Sequence, residues 1–392
     1  MSEARCCVSK SDAPKDLILN DDALIRFAYL NEGGANVIFN ILPWSGAEQP
    51  FLFVDPKSAT AVLQRDVTHQ VLRVDKGVDK TLQCDEVVAG FYGHVRPLFV
   101  PGTISVIALD ATGLPTVCSV ALPGRDFTKH LMEHQGVMLD PNVMVDLMSK
   151  SSTILPKRTS EANQPASSSR WGILLPDMSP TVGSSVTIEV KPKWLAQSPN
   201  APPDAVRCRT CAMQVAKPKD LNNYICPLRL SEGSSEMIYP WIFDRVTEQL
   251  AEHHSETPIE KHQQAPRSAA SIVAYLTQGD GKALLRHLKF LQTQLDPQGV
   301  CLRDTMRPRS TFDHNLRLAM TLRDCSLYIT AHYNLPGTDA VQVDSKLGDL
   351  DFKSADKMDD WLGKEEALLG AAAYNNKIDK DLGCLVAKVR AV

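Results

Sequence analysis

Nowhere does the chain contain about 18 consecutive apolar residues, the length that a membrane-spanning helix needs. The opening MSEARCCVSKSDAPKD has no apolar core segment either, so neither a membrane span nor a secretory leader is expected. The sequence also lacks the positive surplus with which proteins coat nucleic acid: 42 Lys and Arg stand against 46 Asp and Glu, a formal net charge of -4. A polyanionic ligand would therefore have to meet a local cluster of cations. There is no internal repeat and no nucleophile-elbow pattern. The ten cysteines are scattered, with only Cys6/Cys7 and Cys208/Cys211 close together, which does not read as a disulfide framework. These absences give the expectation of a soluble intracellular protein with reduced thiols, no membrane partner and no direct nucleic-acid partner; a monomer, nuclear and/or cytoplasmic, is a separate expectation that the absences do not give.

What is present is a globular composition, 43% hydrophobic and 22% charged over 392 residues, enough for two lobes. DALIRFAYLNEGGANVIFNIL holds two β-patterned runs joined by Glu32-Gly33-Gly34-Ala35-Asn36, a hairpin. HQVLRVDK continues as a strand carrying Arg73. From Arg125 to Lys150 the apolar spacing is helical, interrupted near Asp140-Pro141. PKRTSEANQPASSSRW reads as a Pro/Ser-rich loop before the strand-like WGILLPDM. HHSETPIEKHQQAPRSAAS reads as a second linker, with His253, His254 and His262 exposed, and GKALLRHLKFLQTQL as an amphipathic helix.

Several short patterns carry chemistry. In SVTIEVKPKWLA, alternation places Glu189, Lys191 and Lys193 on one face, which either is solvated surface or opens onto something very negative. A turn of small residues such as 32–36 lets backbone N–H groups approach phosphate oxygens, although such turns are mostly only turns. Arg73 fits a second phosphate contact or an exposed strand position. Asp324, in TLRDCSLYI, and Asp349 with Asp351, in GDLDFK, sit at strand ends, where Mg²⁺ and a hydroxyl nucleophile find rigid oxygen ligands; ordinary loop acids are the alternative. Lys353, Lys357 and Trp361 recur every four residues, so a helix would give them one basic face with an aromatic floor, or one solvated face. Cys208-x-x-Cys211 lacks two further ligands nearby, since only Cys226 follows and no histidine intervenes, so a structural zinc is not expected.

Glu32 to Asn36, Arg73, LLPDM, IEVKPK, CRTCAMQVAK, YICPLRL, RDCSLYI and GDLDFK occur in the order and approximate spacing of the inositol-pentakisphosphate 2-kinases. The chain resembles that family over about residues 26 to 362, most closely its shorter fungal-type members, and Glu-x-Lys-Pro-Lys at Glu189 to Lys193 is the most specific match.

The resemblance implies an α+β, two-lobed inositol-phosphate-kinase-like fold with ATP bound between lobes. It would comprise a disordered stretch at 1–20, an N-lobe at 21–176 and a C-lobe at 177–392. The implied activity is ATP- and Mg²⁺-dependent phosphorylation of the 2-hydroxyl of inositol 1,3,4,5,6-pentakisphosphate to inositol hexakisphosphate. In that scheme Gly33, Gly34, Ala35, Asn36, Arg73, Asp177 and Glu189 serve the nucleotide, and Asp349 the metal. Asp324 acts on the 2-hydroxyl, while Lys191, Lys193, Arg209, Lys217, Lys353, Lys357, Trp361 and, from the Pro/Ser-rich loop, Arg158 meet the substrate. Two departures stand out: Arg229 replaces the family's usual acid in CPLRL, and DLDFKS lacks the proline common after the lysine. The zinc site of the plant members has no visible counterpart. A non-catalytic inositol-polyphosphate-binding scaffold and a kinase for a less phosphorylated inositol stay open as alternatives.

Overall fold

The computed structural model describes residues 3–5, 18–20, 25–43, 51–54, 61–65, 69–78, 81–138, 147, 171–217, 224–252, 258–376 and 382–386. It is a mixed α+β structure of two compact units, Met1–Pro97 with Met132–Asp177, and Leu98–Leu131 with Met178–Val392. One division falls after Asp177, and Leu98–Leu131 groups with the second unit.

The first seven strands are β1 (Glu3–Arg5), β2 (Ile18–Asn20), β3 (Ile25–Glu32), β4 (Asn36–Pro43), β5 (Phe51–Val54), β6 (Ala61–Arg65) and β7 (Gln70–Asp75). Next come β8 (Thr103–Leu109) and β9 (Pro115–Ala121), a hairpin of the second unit, then β10 (Gln135–Met138) and β11 (Trp171–Pro176). In the first unit a sheet runs β3-β4-β7-β11-β10-β2-β5-β6, with β1 against β2. Thus β1 and β2 lie inside the stretch expected to be disordered. The β3–β4 hairpin forms as expected, and Val37, Phe39, Leu72, Val74 and Leu174 bury one continuous apolar layer on one face of neighbouring strands.

Leading the first unit's helical part is α1 (Cys84–Gly90). The second unit has a sheet of three antiparallel strands, β12 (Ser185–Val190), β13 (Ser326–His332) and β14 (Gln342–Gly348), with β13 central. Its helices are α2 (Arg209–Ala216), α3 (Pro227–Glu232), α4 (Ser235–Ala251), α5 (Pro258–Thr277), α6 (Asp280–Leu295), α7 (Arg309–Arg323) and α8 (Met358–Gly370). α4 packs on α5 and β12, α5 on β13 and β14, and α6 on α7.

Three sequence expectations are corrected. The second linker is largely the helix α5: Ala265, Ala269, Ile272, Val273 and Leu276 give it a buried face at helical spacing, and Pro266 sits on the exposed side. Between Arg125 and Met138 there is no long helix, because Asp126 accepts the Thr128 N–H at 2.7 Å to start a single turn and Gln135–Met138 pairs with β11. Lys353 precedes any helix, since the Ser354 side chain caps the turn that leads into α8 by accepting the Asp356 N–H.

Two buried ion pairs brace this unit. Arg209 and Glu365 lie 2.6 Å apart, and Glu365 also accepts the hydroxyls of Tyr374 and Ser198 at 2.5 and 3.1 Å. Arg323 meets Asp296 at 2.5 Å. Both guanidinium groups lie over the indole of Trp194, 4.4 Å for Arg209 and 3.6 Å for Arg323. Removing Glu365 would strand the Arg209 charge. Glu365→Ala is expected to lower stability by about 3–5 kcal/mol in a urea titration, against about 0.5 kcal/mol or less for the exposed neighbour Glu366→Ala.

Candidate functional site

β12 ends at Val190, and three residues later Lys193 takes a left-handed φ of 50°, a strained choice for a residue with a side chain. Gln292 on α6 holds it there. Its Nε2 donates to Lys193 O at 2.8 Å and Leu322 O at 3.1 Å, and its Oε1 accepts the Leu195 N–H at 2.9 Å. One buried amide thus joins the Lys193 loop to the last turn of α7, directly before Asp324. As a result Lys193 Nζ lies 3.0 Å from Asp324 Oδ1. Lys353 Nζ approaches the other oxygen of the same carboxylate at 2.8 Å.

The second carboxylate sits where β14 stops. Asp349 also has a left-handed φ, 55°, and its Oδ2 accepts the Ser326 hydroxyl at 2.6 Å and Lys191 Nζ at 3.0 Å. Lys191 is shared with Glu189 at 2.7 Å and also donates to Ser326 Oγ. The register of the sheet makes this meeting possible, because Ser326 pairs with Gly348 and Tyr328 with Glu189. The next loop is fixed from α7: Arg317 Nε donates to Lys353 O at 2.6 Å, its guanidinium covers the Phe352 ring at 4.0 Å, and Thr321 Oγ1 accepts the Lys353 N–H at 3.2 Å.

Glu189, Asp324 and Asp349 therefore face Lys191, Lys193 and Lys353, three charges of each sign, all partly exposed and Lys353 the least. Burial raises the Asp324 carboxyl, but Lys353 and Lys193 outweigh it and hold the group at about 2. Burial likewise opposes the charged form of Asp349, yet Lys191 and the Ser326 hydroxyl pull its pKa below the usual carboxylate value. Lys191 is lowered by burial and raised more by Asp349 and Glu189, so it stays protonated. This arrangement can exchange carboxylate partners for phosphate oxygens, and the half-exposed Asp349 offers a hard oxygen ligand of the kind Mg²⁺ takes.

In the first unit, the turn after β3 closes with Gly33 N–H donating to Asn36 O at 2.9 Å. A Cβ at Gly33 or Gly34 would meet nothing within 4 Å, so the outer side of the turn is open. Lys76, not singled out by sequence, braces it through Gly33 O at 2.7 Å and Glu32 at 3.0 Å. Arg73 is 5% exposed, which removes the surface-arginine alternative. The Asp177 N–H donates to His69 O at 2.9 Å, at the end of β11.

Other expected contact residues are placed differently. Arg209 is buried in its pair with Glu365. Trp361 is buried in an apolar cluster with Ile107, Met306, Phe312, Leu316 and Met358, and is not an exposed floor. Lys357 immediately precedes α8, and Lys217 is exposed at the end of α2. Arg158 lies outside the described residues. Ser326, Gln292, Arg317 and Thr321 escaped the sequence reading because each acts by orienting a charged neighbour, which leaves no spacing pattern.

A second constellation supplies the ligand count that the sequence reading found lacking around Cys208 and Cys211. Cys208, Cys211 and Cys226 are joined by Cys384, all four buried, with their sulfurs within 4.8 Å of one another.

A family model described as inositol-pentakisphosphate 2-kinase matches residues 29–367. An inositol-pentakisphosphate 2-kinase of Yarrowia lipolytica is 31% identical over 194 residues, 48% of this chain and 54% of that protein. The match thus spans about half the length of that curated relative.

The Asp324 carboxyl has a folded pKa below its unfolded value of about 3.9, so its ion pairs contribute stability above pH 4 that is lost as pH falls through about 2. In a carbon-13 carboxyl titration the wild-type group should titrate at about 2. In Lys353→Ala it should move up toward the ordinary carboxylate value; an unmoved midpoint would show that Lys353 is not what holds it down.

Proposed function

The chain belongs to the inositol-pentakisphosphate 2-kinase family, and on that premise we propose that it transfers the γ-phosphoryl group of ATP to the 2-hydroxyl of inositol 1,3,4,5,6-pentakisphosphate. The product would be inositol hexakisphosphate and ADP. The observation that carries this reading is the pair of carboxylates, Asp324 and Asp349, held among Lys191, Lys193 and Lys353 at the end of one sheet. A binding module for a polyanion gains nothing from negative charge beside its ligand, whereas phosphoryl transfer needs one carboxylate for the nucleophile and one for the metal. The fold read this way is inositol-phosphate-kinase-like. The open turn Gly33-Gly34-Ala35-Asn36, Arg73 and Asp177 are read as nucleotide contacts, as is Glu189, and Asp324 with Lys193 and Lys353 as the acceptor side.

Asp324 acts on the acceptor hydroxyl. Held at about 2, its carboxylate is a weak base and serves first as a hydrogen-bond acceptor that aims the 2-hydroxyl oxygen at the γ-phosphorus. Phosphates of the substrate compete for Lys193 and Lys353. As they draw those ammonium groups, the carboxylate loses the cations that depress it and its basicity rises, so it can take the hydroxyl proton as the new O–P bond forms and the bond to the β-phosphate oxygen breaks. Binding and base strength are thereby coupled through two lysines.

Asp349 would hold Mg²⁺, whose charge would neutralise the transferring phosphate and the leaving group. Ser326 keeps one oxygen of that carboxylate fixed. Lys191, shared between Asp349 and Glu189, would be the cation available to a phosphate if Asp349 held a metal. Lys357 and Lys217 are further cations for the remaining phosphates.

The direct test is incubation with ATP, Mg²⁺ and inositol pentakisphosphate and separation of the products by charge. Asp324→Ala should abolish transfer while pentakisphosphate affinity is kept or raised. A variant that turns over within about tenfold of wild type would rule out a base effect of the usual ~10²–10⁴ size at this residue.

Lys193→Ala and Lys353→Ala should each raise the Michaelis constant for pentakisphosphate roughly ten- to hundredfold, the worth of a charge-assisted contact of about 1.5–3 kcal/mol. Because both lysines share Asp324, the double variant should depart from additivity. Substrate titrations that overlay wild type at low ionic strength for both single variants would remove the phosphate contacts from these lysines.

A further inference from the structure

Four cysteines that the proposed reaction does not use meet at one point of the second unit. Cys208 caps the start of α2, Cys211 lies in its first turn, Cys226 caps the start of α3, and Cys384 arrives on the segment 382–386. Their sulfurs all fall within 4.8 Å of one another. Cys208 and Cys226 Sγ are 3.8 Å apart, the spacing of about 3.8 Å that a tetrahedral ion with ~2.3 Å zinc–sulfur bonds imposes on its ligands. A disulfide would need about 2.05 Å, and none of the four is in one.

The surroundings suit thiolates. The Cys208 N–H donates to Cys384 Sγ at 3.2 Å and the Cys211 N–H to Cys208 Sγ at 3.5 Å, while Tyr224 Oη lies 2.9 Å from Cys211 Sγ. Such outer hydrogen bonds orient metal-bound sulfur and disperse its charge. Leu228, Leu382, Leu385 and Val386 close an apolar shell around the sulfurs. Gly383 has a left-handed φ of 60°, which favours glycine, and a Cβ there would stand 2.3 Å from Arg229 Nη1, so a side chain would push the guanidinium aside. The passage sets a guanidinium against the residue next to Cys384.

We propose that Cys208, Cys211, Cys226 and Cys384 bind one zinc ion as four thiolates, and that this ion fastens segment 382–386 to the start of α2. Each thiol releases its proton on binding, leaving a Zn²⁺–thiolate group of net charge -2 that the nearby Arg229 partly offsets. Sulfur ligands select zinc over the hard cation of a kinase site, and four protein ligands leave no open position for chemistry. The role is to position. Cys208 is followed directly by Arg209, whose guanidinium covers Trp194, the residue after Lys193. The clasp therefore ends one residue from the lysine loop of the candidate site.

The test uses the full chain produced in zinc-supplemented medium and freed of loose metal. Elemental analysis should find one zinc per chain, and Co²⁺ exchanged into the unaltered chain should show the sulfur-to-cobalt charge-transfer band and visible bands of a tetrahedral four-thiolate site. Cys384→Ser should lower zinc affinity by more than about a hundredfold, beyond what outer-shell changes cost, and expose 382–386 to limited proteolysis. Cys118→Ser, at an exposed cysteine outside the cluster, should change neither. A zinc-free wild-type chain, a mass two hydrogens light that marks a disulfide among the four, or full zinc affinity in Cys384→Ser would each overturn the proposal. The cobalt spectrum needs no substitution, so it decides the ligand set even if the serine variant fails to fold.

Discussion

The second unit's site depends on the contact between Arg323 and Trp194. Arg323 is the residue before Asp324, and Trp194 is the residue after Lys193, so a guanidinium 3.6 Å above an indole brings the acid and its lysine together at the level of the main chain. Asp296 neutralises that guanidinium in the interior, and Gln292 ties the same two segments through their carbonyl groups. Each of these side chains is buried and held by a polar or aromatic partner, so the geometry is set before any ligand competes for it. The left-handed backbone at Lys193 and at Asp349 is the strain that this frame sustains, and both are residues to which the proposed reaction gives a role.

Charge balance follows from the same frame. A carboxylate beside a ligand with five phosphates would repel it, and two unpaired carboxylates would also repel each other. Pairing each with lysine answers both problems, at the cost of base strength, which falls with every ammonium group nearby. In the proposed reaction that weakness is lifted only when phosphates take the lysines. The barrier to using Asp324 as a base would thus be lowest in the complex that contains the acceptor, which would disfavour transfer to water.

Much of this was legible in the sequence where one period dominated. The β3–β4 hairpin, β7, β11, β12 and α6 follow their apolar alternation or helical spacing. α5 was hidden because Pro, His, Gln and Ser make its first half read as linker, although its alanines keep a helical interval. The pattern from Arg125 was helical, but pairing of Gln135–Met138 with β11 overrode it. Of the site, Lys191, Lys193, Asp324, Asp349 and Lys353 are brought together, since the motif marks short loops at the ends of neighbouring strands. Arg209 and Trp361 show the opposite: the residue type suits a ligand, yet burial commits each to the core. Cys384 could not be paired with Cys226 by spacing, because the chain between them folds most of the second unit before returning.

The two kinds of cation divide by their chemistry. Arginine carries a flat, rigid fork with fixed donor directions, and the structure uses Arg209, Arg317 and Arg323 where the partner never changes: an acid in the core, a backbone carbonyl, an aromatic face. Lysine is a compact charge on a flexible stem, and it occupies the positions whose partner would change in the proposed reaction, Lys191, Lys193 and Lys353. Exchanging the roles would fail in both directions. A lysine at 323 would place one ammonium where two carbonyl-directed and carboxylate-directed bonds and an indole face are all served by one plane, and an arginine at 193 would hold Asp324 with a fork that phosphate could displace only by breaking two bonds at once. The fixed charges build the frame within which, in the proposed reaction, the mobile ones are exchanged and the acid between them changes strength as they leave.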